Sequence, residues 1–372
     1  MLVKNSKDNE KAKEKRIKKL CLYGNFKNYY YERYIKRKKQ NVIYVKNNEE
    51  EDIEEIILYD NKIGTDNYNN MIDNNKRCDN NYDSENIYYI YDHRLNYINK
   101  FHKDIFKEKV ILDIGCNCGI VSFLLGLNFE CRVVNAIDID NNIINKNIKL
   151  LRLFIEFIFI YNSERHMLDF FLKNKDISKI EMDMFKNIYF LYEKLKGSRN
   201  YYNKMNNIYN QDIITDINDP NTCDNSLRYF PLNIYFLCSD IFDNKYRHLN
   251  NTYDVILALS VIKWIHLNKG DEHLILFFDR VYFMLKQNGY FILEYNKEKK
   301  YKLKKIQKKY YKKNISLNYK HFDDIAQGKY NNRCKMVLVN KFFFFTHKGD
   351  ETSNKKNKSG MFNREVCIYR KV

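Results

Sequence analysis

The segment Asp113-Ile114-Gly115-Cys116-Asn117-Cys118-Gly119 has the residue types and the spacing to hold a nucleoside. It follows the short apolar run Val110 to Ile114 and precedes Ile120 to Leu127, a run with helical character. Glycines at a strand-to-helix turn let the backbone approach a ligand closely, and the start of a helix offers unpaired N–H groups. Asp138 closes the next apolar run, Arg132 to Ile137, and from there a carboxylate can take both hydroxyls of a ribose. The Gly-x-Gly-x-x-Gly of a dinucleotide site is absent, because Asn117 stands where its second glycine would be. No pyrophosphate then has to be accommodated, which favours S-adenosyl-L-methionine over a dinucleotide. A purely structural glycine turn is the third reading. Downstream, Cys238-Ser239-Asp240 ends another apolar run. Asp240 can meet an adenine amine there or simply cap a turn.

A second segment narrows the chemistry. Residues 253–274 read Tyr-Asp-Val-Ile-Leu-Ala-Leu-Ser-Val-Ile-Lys-Trp-Ile-His-Leu-Asn-Lys-Gly-Asp-Glu-His-Leu. The stretch Leu259 to Asp271 resembles the Leu-Ser-x-Thr-Lys-Trp-x-His-Leu-Asn-x-Gly-Asp of the bicoid-interacting family of RNA methyltransferases, the group of the small-nuclear-RNA methylphosphate capping enzyme. The Asp113 to Gly119 loop is similar to that family's Asp-x-Gly-Cys-Asn-x-Gly, including the Cys116-Asn117 pair. Asp138-Ile139-Asp140, Tyr23 to Arg33 and Asp92-His93-Arg94-Leu95 resemble further motifs of the group, so the likeness covers about two-thirds of the chain. It implies an α/β, class I methyltransferase (Rossmann-like) fold, with a mostly parallel seven-stranded sheet, an antiparallel edge strand and helices on both faces. It places cofactor contacts on Tyr30, Arg94, Gly115, Cys116, Asn117, Asp138, Ile139, Ser239, Asp240 and Leu259, beside Asp113 and Gly119 of the loop. It places the end of a small non-coding RNA on Tyr29, Arg33, Lys263 and His266. Two departures bear on the acceptor: Ile262 replaces the family's Thr, and Glu294-Tyr-Asn-Lys-Glu replaces its Glu-Pro-Gln-Pro-Trp.

The residues make chemical sense on their own. A phosphate oxygen is already anionic at neutral pH, so a methyl acceptor of that kind needs positioning and charge complementarity rather than a general base. Lys263 would hold a 5′-phosphate as a point charge and Arg33 as a planar fork. Tyr29, Tyr30 and Trp264 are candidates for stacking on a terminal base. Each has a plainer reading: Trp264 as core packing, His266 as a partner for local backbone, and Tyr29 and Tyr30 as two of 32 tyrosines. The only prolines are Pro220 and Pro231, which excludes the Asp/Asn-Pro-Pro-aromatic loop that many amino-group methyltransferases use.

The elements that must position these groups follow a βαβα order from residue 109 onward, with strands expected at 110–114, 132–137, 233–238, 253–259 and 290–294. Helices are expected at 120–127, 141–160 and 272–285, with Gln287-Asn288-Gly289 as a turn into the fifth strand. The runs 336–346 and 365–371 read as a closing hairpin at the sheet edge. Residues 1–44 form a basic segment carrying the aromatic motif 21–33, residues 45–86 an acidic, Asn-rich, low-complexity insertion, and residues 87–372 the catalytic domain. An insertion at about 161–230 interrupts that domain, helical in its first part and loop-like after 197.

A net charge of +18 suits a polyanionic partner, since each cation placed near a phosphate releases counterions. The Lys-rich stretch Lys297 to Lys320 reads as an RNA-lining helix or as a solvated face. Nine cysteines without metal-like pairing indicate a reducing compartment, nuclear or cytoplasmic, and no metal. The most apolar stretch, Leu150 to Tyr161, is too short for a bilayer. The expectation is a monomer that acts on RNA, alone or within a ribonucleoprotein. A methyltransferase for a protein or small molecule, and a non-catalytic RNA-binding scaffold, are the alternatives.

Overall fold

The computed structural model describes residues 42–47, 53–57, 92–161, 164–198, 229–297, 301, 303, 311, 315–345 and 364–372. In chain order the elements are β1 (Val42–Asn47), β2 (Ile53–Ile57), α1 (His93–Phe101), β3 (Val110–Ile114), α2 (Ile120–Leu127), β4 (Val133–Asp138) and α3 (Asn141–Phe159). Then come α4 (Leu168–Lys173), α5 (Lys179–Ser198), β5 (Ile234–Cys238), β6 (Tyr253–Leu259), α6 (Ile262–Lys269) and α7 (Asp271–Met284). The chain ends with β7 (Leu285–Tyr295), α8 (Phe322–Ala326), β8 (Met336–Phe345) and β9 (Arg364–Lys371). The chain divides into two compact units.

One unit runs from α1 to Cys238. Its strands β3, β4 and β5 pair in parallel, with Asp113 opposite Ala136 and Asp138 opposite Cys238. Parallel strands covered by helices lose polar alternation, which is why β3 reads Val-Ile-Leu-Asp-Ile with four of its five residues buried. Helices α2 and α3 pack on β4 and β5. Along α3 the buried residues Ile144, Asn147, Leu150, Leu153, Phe154, Phe157 and Ile158 fall at helical spacing, and the Asp140 side chain caps the helix by accepting from the Asn142 amide at 3.0 Å. The first part of the 161–230 insertion is helical as expected. Helix α5 lays Phe185 flat on Phe154 with ring centroids 4.2 Å apart, and Tyr189 edge-on to Phe157 at 5.1 Å.

The other unit holds β1 with the chain from Ser239 onward. Its strand order is β2-β1-β8-β9-β7-β6. β6 and β7 are parallel, while β9 runs antiparallel to β7 and β8, and β1 antiparallel to β8. Helices α6 and α7 pack on β7, and α8 packs on β8.

The Rossmann-like α/β class expected from the sequence is the class found, with four differences in detail. Nine strands stand among the described residues where seven were expected. β1 and β2 fall at and inside the start of the segment taken as a low-complexity insertion, and Tyr44 to Asn47 pair with Phe345 to Phe342, so β8 is not the edge. The Gln287-Asn288-Gly289 turn lies within β7 as an irregularity: Tyr253 pairs with Leu285 but Val255 pairs with Tyr290, and Asn288 has φ 63°. The last strand pair is antiparallel as expected, yet β9 is interior, between β7 and β8. Its apolar pattern of Val366, Cys367, Ile368 and Tyr369, all fully buried, is that of a central strand.

Candidate functional site

The Gly-rich loop is built almost wholly by backbone. Gly115, Asn117 and Gly119 all have positive φ (74°, 48° and 76°), so the turn between β3 and α2 uses left-handed backbone three times in five residues. The Gly115 and Cys116 amides both donate to the Ile137 carbonyl, at 2.8 and 3.0 Å. A side chain at Gly119 would meet the Phe236 ring at 2.9 Å. The position therefore needs glycine for both its dihedral and its packing. Asn147 reaches from α3 to donate to the Asn117 carbonyl at 2.6 Å.

Asp138 at the end of β4 accepts from the Asn117 amide (Oδ2, 3.1 Å) and from the Asp140 amide (Oδ1, 2.9 Å). Burial raises its pKa, while those amides oppose the rise. A carboxylate offers about four acceptor positions. Unused lone pairs remain for the two hydroxyls of a ribose, and the residues present fit an adenosyl group in this respect. Asp113 is fully buried, accepts from Ser122 Oγ at 2.7 Å, and burial pushes its carboxyl up to about 6 despite that bond and the nearby Arg94 charge. Arg94 is itself fully buried, its Nε 3.0 Å from Asp92 Oδ1 and its Nη2 2.5 Å from Asp92 Oδ2. Burial lifts Cys116 well above the usual thiol range and pushes Cys118 up to about 12, so both thiols stay neutral near pH 7. Ile139 is 44% exposed.

In the other unit the groups are held by side chains. Ser239 Oγ donates to Asp243 Oδ2 at 2.7 Å. Asp240 accepts from the Phe242 amide at 3.0 Å and pairs with Lys269 at 3.0 Å, so it acts as a turn cap and ion-pair partner in this structure. Leu259 is buried at the end of β6. The next residue, Ser260, has φ 62°, a conformation that costs a non-glycine residue energy and is concentrated at functional turns. Its hydroxyl donates to Glu294 Oε2 at 2.7 Å and its amide to the Glu294 carbonyl at 3.1 Å, which holds the turn.

Lys263 stands in the first turn of α6, where the helix dipole disfavours a cation. The rings of Trp264 and Tyr301 lie beside it, with Nζ 5.7 and 5.5 Å from their centroids. Trp264 is half-buried, between the packing and platform readings. His266 is fully buried. Its Nε2 is 2.6 Å from Asp271 Oδ1 and its Nδ1 is 2.9 Å from Tyr301 Oη. Burial lowers its pKa, against the pull of Asp271, so the ring is neutral near pH 7. It was expected to hold the RNA end directly; in this structure both ring nitrogens are engaged inside the protein, because a buried imidazole must satisfy them locally.

Tyr29, Tyr30 and Arg33 lie outside the described residues. So does most of Lys297 to Lys320; of that segment Lys297, Tyr301, Leu303, Tyr311 and Ile315–Asn318 are described and are not helical, while Tyr319 and Lys320 begin a single 3-10 turn. Sequence reasoning missed Asn147, Asp92, Ser122 and Tyr301. A polar residue among the apolar positions of α3 was a readable sign for Asn147, and the Asp-x-Arg spacing for Asp92. Tyr301 carried no local sign.

The family model described as Bicoid-interacting protein 3 (Bin3) matches residues 253–371. A protein of Arabidopsis thaliana named as a probable RNA methyltransferase is 26% identical over 269 residues, covering 72% of this chain and 72% of its own. The U6 snRNA methylphosphate capping enzyme of Drosophila melanogaster is 27% identical over 191 residues, 51% of this chain and 42% of that protein. The 7SK snRNA methylphosphate capping enzyme of Homo sapiens is 40% identical over 68 residues, 18% of this chain and 10% of that protein. The matches to both capping enzymes thus span less than half of their lengths. Among the described residues no helix is long and apolar enough to cross a membrane.

Proposed function

We propose, on the premise that residues 253–371 are of the Bin3 type, that this chain is an S-adenosyl-L-methionine-dependent RNA methyltransferase whose acceptor is the 5′-terminal phosphate of a small non-coding RNA. The observation that carries the choice of acceptor is the state of α6: it offers a cation, Lys263, while its histidine is buried between Asp271 and Tyr301. Lys263 suits charge pairing, while both ring nitrogens of the helix's histidine are engaged by protein groups. An acceptor that is already an anion fits, whereas a hydroxyl or amine acceptor would need a base.

When bound, the cofactor supplies a methyl group on a sulfonium, ready for in-line displacement by a nucleophilic oxygen. Asp138 holds the ribose, and the Gly115 to Gly119 backbone admits the amino-acid part closely. Lys263 neutralises and orients the phosphate, joined by Arg33 and Tyr29 from the motif that resembles the family's upstream segment. The basic character of the chain supports RNA as the bearer of that phosphate.

The test is methyl transfer from labelled cofactor to a short 5′-triphosphorylated RNA and to the same RNA after phosphatase treatment. The expected result is transfer to the first alone. Equal labelling of both, or labelling of added protein in place of RNA, would overturn the acceptor. Failure to bind the cofactor in calorimetry would overturn the enzyme reading and favour a scaffold.

A further inference from the structure

Asp271 is the first residue of α7 and its carboxylate is fully used. Besides His266, it accepts from the Ser316 amide at 3.0 Å, from Ser316 Oγ at 2.5 Å and from the Leu317 amide at 3.3 Å. These bonds, with burial acting the other way, hold its carboxyl down to about 2. The neutral His266 has one donor and one acceptor nitrogen. The anionic Asp271 must be the acceptor from Nε2–H, which leaves Nδ1 to accept from the Tyr301 hydroxyl. The direction of every bond in the chain Tyr301–His266–Asp271–Ser316 is thereby determined. The Tyr301 and His266 rings meet edge to face, 88° apart with centroids at 5.5 Å. The chain joins the α6–α7 corner to two points that follow β7, Tyr301 and Ser316, and its Tyr301 end carries the ring beside Lys263.

We propose that Tyr301 is a positioning residue of the acceptor site, pinned by His266 and Asp271 so that its ring, together with that of Trp264, holds the Lys263 ammonium in one orientation for the RNA phosphate. The assignment rests on the reading of Lys263 as the phosphate-binding group. It gives His266 a role through Tyr301 rather than through contact with RNA. A flexible four-carbon ammonium has several rotamers of similar energy, and contact with two rings favours a few of them before substrate arrives.

The experiment compares Tyr301→Phe, Tyr301→Ala, Asp271→Asn and the Tyr301→Phe/Asp271→Asn double variant in full-length protein. It measures KM and kcat for 5′-triphosphorylated RNA, calorimetric affinity for S-adenosylmethionine, and amide hydrogen exchange. Tyr301→Phe keeps the ring and loses the pin; it should raise KM for RNA about fivefold with kcat and cofactor affinity unchanged, the scale of one hydrogen bond. Tyr301→Ala should raise KM further, about twentyfold, since the ring is lost as well. The double variant should be no worse than Asp271→Asn alone, because both act on one chain of bonds. Exchange at the Ser316 and Leu317 amides should quicken about tenfold in Asp271→Asn and stay at the wild-type rate in Tyr301→Phe. A wild-type KM in Tyr301→Phe, additive effects in the double variant, or equal weakening of cofactor binding would overturn the positioning role. If wild-type protein shows no preference for phosphorylated RNA, the proposed function itself fails, a result the variants are not needed to reveal.

Discussion

The loop Asp113 to Gly119 and the helix α6 are both short segments that follow a buried parallel strand, yet they are held by opposite means. The loop is shaped by backbone: three left-handed residues, two amides on one carbonyl, and a carboxylate that takes two amides. The α6 segment is shaped by side chains drawn from elsewhere, Glu294 on Ser260 and Tyr301 and Asp271 on His266. The loop is sensitive at its glycines, at Asn117 and Asn147, and at the carboxylates Asp113 and Asp138. A side-chain-built site can be retuned by a single substitution at a distance.

Four substitutions can break or sharpen this contrast. The largest effect is expected for Asp138→Ala, which removes the group that would take the ribose and also frees the Asn117 and Asp140 amides. Cofactor affinity by calorimetry should fall at least about 100-fold, with RNA binding by fluorescence anisotropy retained. Parallel loss of both would mean that the loop is needed for folding.

Next is Asp113→Asn. The wild-type carboxyl is raised by burial to about 6, so its contribution to stability is present in acid and lost as pH rises through 6. An Asn keeps an acceptor for Ser122 and cannot ionise. The variant should match wild type near pH 3, draw ahead between about pH 4 and 6, and exceed it by on the order of 2–3 kcal/mol at pH 8 in urea denaturation. A constant difference across that range would refute the assignment.

Lys263→Ala should raise KM for 5′-phosphorylated RNA about tenfold, with Lys263→Arg intermediate, and should lower the slope of binding against log salt by about one. An unchanged slope would remove Lys263 from the phosphate. Smallest is Gly119→Ala, expected to cost about 1–2 kcal/mol of stability from its positive φ and the contact with Phe236, read as a lowered denaturation midpoint.

The same contrast explains what was legible in the sequence. Glycine spacing, the acidic strand ends and the run Leu259 to Asp271 announce backbone turns, and the structure has them where they were expected. Strands β3 and β6 were legible because burial on both faces leaves apolar runs. β1 and β2 were not: the apolar run Val42 to Val45 is short and borders an Asn- and Glu-rich stretch, and its partners Phe342 to Phe345 lie near the other end of the sequence. The engagement of His266 inside the protein was not legible, because its partner Tyr301 stands 35 residues away and no periodicity links the two. Asp240 was read for adenine, and its pairing with Lys269 became visible only in three dimensions.

The most direct measurement is the location of the methyl label after reaction with 5′-triphosphorylated RNA and digestion to mononucleotides. The label should travel with the 5′-terminal nucleotide and be absent from RNA that was dephosphorylated beforehand. Label on internal nucleosides, or equal label on dephosphorylated RNA, would contradict a phosphate acceptor and with it the reading of Lys263 as the phosphate-binding group.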